Sequence, residues 1–282
     1  MTMTPAIDEA FLRTWIGRTE QAEDVIAPRL VREFLATLDK GDELPAHGSL
    51  APLAIHWCLS PPTVNASGLG ADGHPQRGGF LPPVSLPRRM WAGGGLEFHD
   101  PLRVGDVVRR HSTIDDVRVK HGRSGILCFV TVSHKLSTSR GLALTERHDI
   151  VYRDLESKDA PKPAPAILPQ PDRMLVRQAD PTLLFRYSAI TFNGHRIHYD
   201  RPYATGIEGY PGLIVHGPLQ ATMLMQFAEE IIGGKLVQFE FRGVRPLFDF
   251  ESFSLCACAG ASGLKLWIIT PDGKQSMEAT AS

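Results

Sequence analysis

Apolar residues recur along this chain in two rhythms, and the change of rhythm marks its layout. In the second half, Leu219, Met223, Phe227 and Ile231 fall on one helical face, and Ala221, Leu224, Ala228 and Ile232 fill its flanks. A helix apolar around so much of its circumference is a buried one. Pro218 suits its first turn and Gly233-Gly234 its end. The period then becomes two. Val237, Phe239 and Phe241 alternate with Gln238, Glu240 and Arg242, and strand-like runs follow at 252–259, 265–270 and 275–279. A short helix is expected at 181–188. One buried helix followed by consecutive antiparallel strands implies a sheet wrapped around a helix, an α+β arrangement. The first half repeats the order: 11–38 reads as helix-rich, with Ile26, Leu30, Phe34 and Leu38 four residues apart. A long irregular excursion at 45–87 follows, and then short strands at 96–98, 106–115, 126–134 and 145–152. The first half therefore reads as a diverged duplicate of the second.

Between the halves, 157–171 contains Lys-Asp-Ala-Pro-Lys-Pro-Ala-Pro and then Pro-Gln-Pro, a composition that favours extended backbone and cannot pack a core. It is expected to be a linker separating 1–156 from 172–282. Charge is balanced, 30 basic against 31 acidic residues, so neither a nucleic acid nor a membrane surface is implied as partner. Cys58, Cys128, Cys256 and Cys258 show no Cys-x-x-Cys spacing and read as free thiols in a reducing compartment. With no signal pattern and no run of membrane-spanning length, a soluble cytoplasmic protein is expected.

Chemistry-bearing residues concentrate at 192–219: Phe-Asn-Gly-His-Arg-Ile-His-Tyr-Asp-Arg-Pro-Tyr-Ala, a bend rich in glycine and proline, and then Val-His-Gly-Pro-Leu entering the buried helix. Free N–H groups at that helix start, with the positive end of the dipole behind them, can polarise a carbonyl while a loop histidine handles a proton. Other motifs carry less. Gly68-Leu69-Gly70-Ala71-Asp72-Gly73 fits a dinucleotide fingerprint formally but lacks the flanking strand and helix. His195 and His198 lack a third ligand for a metal, so none is expected.

The loop resembles the motif of the MaoC-like (R)-specific enoyl-thioester hydratases and dehydratases. Asn193-Gly194-His195-Arg196-Ile197-His198 occupies the span from the motif's aspartate to its histidine, Ala204 takes the closing small position, and His216-Gly217 matches the His-Gly before the central helix. The run from Thr191 through Gly212, together with Arg89-Met90-Trp91-Ala92-Gly93-Gly94 and Asp72-Gly73-His74-Pro75, is similar to one branch of that family. This branch contains mesaconyl-C4-CoA and itaconyl-CoA hydratases and mitochondrial 3-hydroxyacyl-thioester dehydratases. The resemblance implies a double hot dog fold, with the N-terminal domain having lost the motif, an acyl-CoA thioester as partner, no cofactor and, because hot dog sheet edges often pair between subunits, a homodimer.

It also implies roles. His198 would act as base and acid, Asn193 would hold the water, and the Gly217 N–H would bind the thioester oxygen. Asn193 departs from the motif, since an amide cannot accept a proton as a carboxylate does; Asp200 or Glu208 is a candidate replacement. A substrate carboxylate needs a cation, for which Arg196, Arg201, Arg88, Arg89 and Arg242 are candidates, with Tyr199 and His216 as further substrate contacts. The expected reaction is hydration of a short branched carboxylated enoyl-CoA. Alternatives are a fatty-acid-type 3-hydroxyacyl dehydratase, which needs a long apolar tunnel, and a non-catalytic acyl-CoA binding protein.

Overall fold

The computed structural model describes residues 7–122, 125–154 and 168–282. After the short helix α1 (Glu9–Arg13), the first half runs β1 (Thr19–Val25), α2 (Pro28–Thr37), β2 (Arg88–Phe98), β3 (Val107–Gly122), β4 (Gly125–Thr138) and β5 (Gly141–Arg153). The second runs β6 (Arg173–Gln178), α3 (Pro181–Ile190), α4 (Arg201–Gly206), α5 (Gly217–Ile232), β7 (Gln238–Gly243), β8 (Ser252–Gly260), β9 (Gly263–Ile269) and β10 (Gln275–Ala281). The described strands form one sheet in the order β1-β3-β4-β5-β2-β7-β10-β9-β8-β6, antiparallel at each pairing. Read inward from each edge, the two halves have the same order of first, third, fourth, fifth and second strand. The expected linker lies outside the described residues as far as residue 167.

Apart from the short helices α1 and α4, the halves differ in one element. The buried helix α5 packs on the second half's strands, with Leu219, Ala221, Leu224, Met225 and Ala228 fully enclosed. Gly233, in the left-handed region at φ 65°, ends it and donates its N–H to the Glu229 carbonyl. The corresponding stretch of the first half, residues 38–87, holds only two short 3₁₀ turns among irregular backbone. The first half's sheet thus has no long helix across its inner face.

Two sequence expectations are corrected. The block 11–38 is not continuously helical: Thr19–Val25 is an edge strand paired with β3, and its charged, largely exposed residues hide the alternation that a half-buried strand would show. The strand expected to begin at Leu96 starts at Arg88 and includes Gly93-Gly94-Gly95. This run forms the seam between the halves, pairing Gly93 with Arg242, Gly94 with Phe241 and Gly95 with Glu240. A Cβ at Gly93 would lie 2.6 Å from the Phe241 carbonyl oxygen, and one at Gly94 would lie 2.4 Å from that of Arg147. Close approach of the strands, rather than a turn, accounts for these glycines.

Among the described residues no helix is long and apolar enough to cross a membrane. The four cysteines are free and buried, and burial pushes the Cys58 thiol up to about 12, so their role is packing.

Candidate active site

The loop after α3 takes its shape from its own polar groups. Phe192 adopts φ 51°, the Asn193 N–H returns to the Ser188 carbonyl, and Asn193 Oδ1 accepts from the His195 N–H at 3.0 Å. A 3₁₀ turn, Arg196–His198, then carries His198 into the interior. Its Nδ1–H donates to the Ile214 carbonyl at 2.8 Å, which leaves Nε2 with its lone pair. The ring stacks on His216 with centroids 3.6 Å apart. His216 is fully buried, Nε2 bonded to Ser188 Oγ at 2.8 Å and Nδ1 without a partner. The next residue, Gly217, opens α5, and its N–H lies at the positive end of that helix.

His198, Asn193, Gly217 and Tyr199 line a cleft of about 1830 Å³ that crosses the seam. Arg89 and Trp91 of β2 line it too, as does a first-half loop carrying Asp72 and His74. Asp72 Oδ2 accepts from His74 Nδ1 at 2.9 Å, and the His74 ring lies 4.1 Å from that of His195, which lies 5.3 Å from that of His198. Asp72, His74 and His195 also offer ligand atoms all within 4.8 Å of one another, the one such group among the described residues and the place where a divalent cation would fit.

The first-half wall of the cleft is polar. Ser112 Oγ bonds His134 Nδ1 at 2.8 Å, His134 Nε2 lies 3.2 Å from His148 Nδ1, and His148 Nε2 donates to Glu146 Oε1 at 2.7 Å. Trp57 Nε1–H donates to the same Glu146 oxygen at 2.6 Å, while His56 Nε2, at 3.5 Å from Oε2, makes an electrostatic contact only. Burial opposes ionisation of Glu146, but His148 and His56 hold its carboxyl well below the ordinary range.

Residues 54–249 match the family model of hydroxyacyl-thioester dehydratase type 2. The chain belongs to that family. Within it, the mesaconyl-C(4)-CoA hydratase of Chloroflexus aurantiacus is 46% identical over 268 residues, covering 94% of this chain and 95% of that protein. Among solved structures, HtdX of Mycobacterium tuberculosis superposes with a TM-score of 0.66 at 20% identity, covering 94% and 99% of the two chains. Another M. tuberculosis protein, described as having a double hot dog fold, does so with a TM-score of 0.53 at 14% identity over 94% and 95%. The fold of this hydroxyacyl-thioester dehydratase type 2 member is the double hot dog.

The structure does not bring every candidate to the cleft. Arg196 is committed to Asp200, at 2.7 and 2.9 Å, and to the Ala71 carbonyl, with its guanidinium over the Tyr203 ring. Arg201 pairs with Asp249, Arg88 with Glu208 and Arg242 with Glu278. Of the five arginines considered, Arg89 is the one whose positive charge bears on the site histidines, His74 and His195. Tyr199 donates its hydroxyl to the Gly194 carbonyl, and His216 lies behind His198, off the cleft wall. Asp200 caps α4 and pairs with Arg196, and Glu208, on the cleft wall, pairs with Arg88.

Asp72 binds His74 and has a carboxylate oxygen within 4.8 Å of a His195 ring nitrogen. Asp72-Gly73-His74-Pro75 stands out in the sequence only as part of the family resemblance; nothing local gives Asp72 and His74 a role, because the loop they meet is remote in the chain.

Burial, partly offset by the Ile214 hydrogen bond, lowers the His198 pKa from 6.5 to about 4. Burial likewise lowers His134 to about 3 and holds His195 and His216 well below their usual value. Between pH 6.5 and about 4 the unfolded chain therefore takes up protons that the folded chain refuses. Stability is expected to be full above pH 6.5 and to fall as pH drops through that window, measured as Tm against pH. The acid limb of kcat/KM, which reports the free enzyme, is expected near pH 4 to 5 rather than 6.5.

Proposed function

We propose that the protein is a hydratase adding water reversibly across the double bond of a short branched enoyl-CoA that carries a carboxylate. Mesaconyl-C4-CoA (3-methylfumaryl-CoA) giving citramalyl-CoA is the leading substrate, with itaconyl-CoA as a second entry to the same product. The observation that carries the acyl assignment is the polar first-half wall. Where the absence of a long helix makes room for an acyl group, the sheet presents Ser112, His134, Glu146 and His148. These groups are held in a hydrogen-bonded network, Ser112, His134 and Glu146 buried and His148 partly so. The polar surface they give the cleft suits a carboxylated acyl group better than an alkyl chain, whereas a fatty-acid dehydratase needs an apolar tunnel.

In this reading His198 Nε2 takes a proton from water as the oxygen adds to the β-carbon. The negative charge moves to the thioester oxygen, met by the Gly217 N–H, and His198 returns the proton to the α-carbon. Asn193, its Oδ1 already accepting once, helps to hold the water, and Arg89 faces the carboxylate on the β-carbon.

The test is hydration kinetics on a thioester panel running from methylfumaryl-CoA through crotonyl-CoA to long-chain enoyl-CoA. Preference for the carboxylated member is expected, and turnover of crotonyl-type but not methylfumaryl-type thioesters would reject the assignment. Arg89→Met is expected to lower kcat/KM for the carboxylated substrate by about 100-fold, the order of a lost charge-assisted hydrogen bond, and to change that for crotonyl-CoA only a few-fold.

A further inference from the structure

An attacking water offers two O–H bonds, and fixing its lone pair on a carbon takes two acceptors. His198 Nε2 is one. The family motif would supply the second as a carboxylate at position 193, where this chain has an amide whose oxygen already accepts from the His195 N–H. What packs against that position is the first-half loop.

Gly73, at φ 87°, lies so close to Gly194 that a Cβ on it would be 1.9 Å from the Gly194 carbonyl oxygen, and one on Gly194 would be 2.6 Å from that of Gly73. The Arg196 N–H donates to the Asp72 carbonyl at 2.9 Å, and Arg196 Nη1 donates to Ala71 O at 3.0 Å. Inside the loop the Gly70 N–H donates to the His74 carbonyl and the Gly73 N–H to the Gly70 carbonyl. Asp72 engages His74 with both oxygens, Oδ1 accepting the backbone N–H at 3.1 Å and Oδ2 the ring Nδ1–H at 2.9 Å. With Nδ1–H committed, Nε2 of His74 is an acceptor on a ring that lines the cleft beside His195.

We propose that His74, held in this tautomer by Asp72, is the second water acceptor of the active site, so that the catalytic pair spans the two halves of the chain. His74 is a catalytic residue in this assignment and Asp72 a positioning residue. One O–H of the water accepts no change beyond its hydrogen bond to His74 and stays in the product hydroxyl. The other breaks, its proton passing to His198 and then to the α-carbon while the new C–O bond forms. Electrons and atoms balance without a further reactant. The assignment rests on the hydration reading of the cleft, but not on which acyl group is hydrated.

The test therefore uses whichever thioester of the panel the wild-type enzyme turns over fastest. His74→Gln is expected to lower kcat by about 10²–10³, with KM within three-fold and Tm unchanged. Asp72→Asn, which releases the tautomer, is expected to lower kcat by at least ten-fold at unchanged KM and to alter the pH profile of kcat, and Asp72→Glu is expected to recover part of the loss. Unchanged kcat in His74→Gln, or a loss confined to KM or Tm, overturns the assignment and leaves the hydratase reading standing. Wild-type activity that disappears on chelation and returns with Zn²⁺ overturns it in favour of a metal held by Asp72, His74 and His195. If the wild type hydrates no thioester in the panel, the hydratase reading and this assignment fall together.

Discussion

Replacing His198 is expected to lower kcat by about 10³–10⁴ while the fold survives, the upper part of the range for loss of a positioned acid–base group. The ring is buried, its tautomer is set by the Ile214 carbonyl and its face lies on His216. Alanine would leave that carbonyl unpaired and a cavity behind, at a cost of a few kcal/mol, which would blur a loss of chemistry with a loss of stability. His198→Asn separates the two, because an asparagine Nδ2–H can replace Nδ1–H at Ile214 while offering no base. Circular dichroism and Tm close to wild type, together with a kcat loss of that size, are the expected pair of results. Unimpaired hydration by His198→Asn would remove the imidazole from the mechanism.

The second large effect is expected from a residue that performs no chemistry. Gly73→Ala places a methyl group where the Gly194 carbonyl oxygen lies, at a φ that L-residues rarely adopt, so the two loops must part. Parting them by about 1 Å displaces the Asn193–His198 turn from the groups it faces, and a misplacement of that size is worth about 10² in rate. A fall in kcat/KM of that order, with Tm reduced by several degrees, is expected. Gly194→Ala acts on the same contact from the other side. The double variant is therefore expected to lose less than the product of the two single losses, and strict additivity would show that the glycines act separately.

The parts of this protein that were legible in its sequence are those whose cause is local. Helix α5 announces itself by period, by Pro218 and by Gly233, β7 by alternation, and β8, β9 and β10 as strand-like runs between turns. The loop from Asn193 to His198 and the His216-Gly217 step are short enough in sequence to be recognised as a unit. What failed depended on distant partners. Strand β1 is polar because it is an edge, and Gly93-Gly94-Gly95 falls outside the expected strand until the second half is laid beside it. Arg196 and Arg201 read as free cations in a loop, although Asp200 stands four residues from Arg196 at helical spacing; Asp249, the partner of Arg201, comes from a remote turn. The pairing of Asp72-Gly73-His74 with Asn193-Gly194-His195 is likewise a property of the folded chain.

The unequal halves have a consequence for how such a protein can change. In the proposed assignment proton handling sits on two interlocked loops and one helix start, where a single methyl group is disruptive, whereas the acyl group meets cleft-lining positions of three first-half strands. Residues 112, 134, 146 and 148 form one hydrogen-bonded network on those strands, apart from the two loops. This division of labour would let the loops shared by the two halves keep the reaction while the first half's strands vary the choice of molecule.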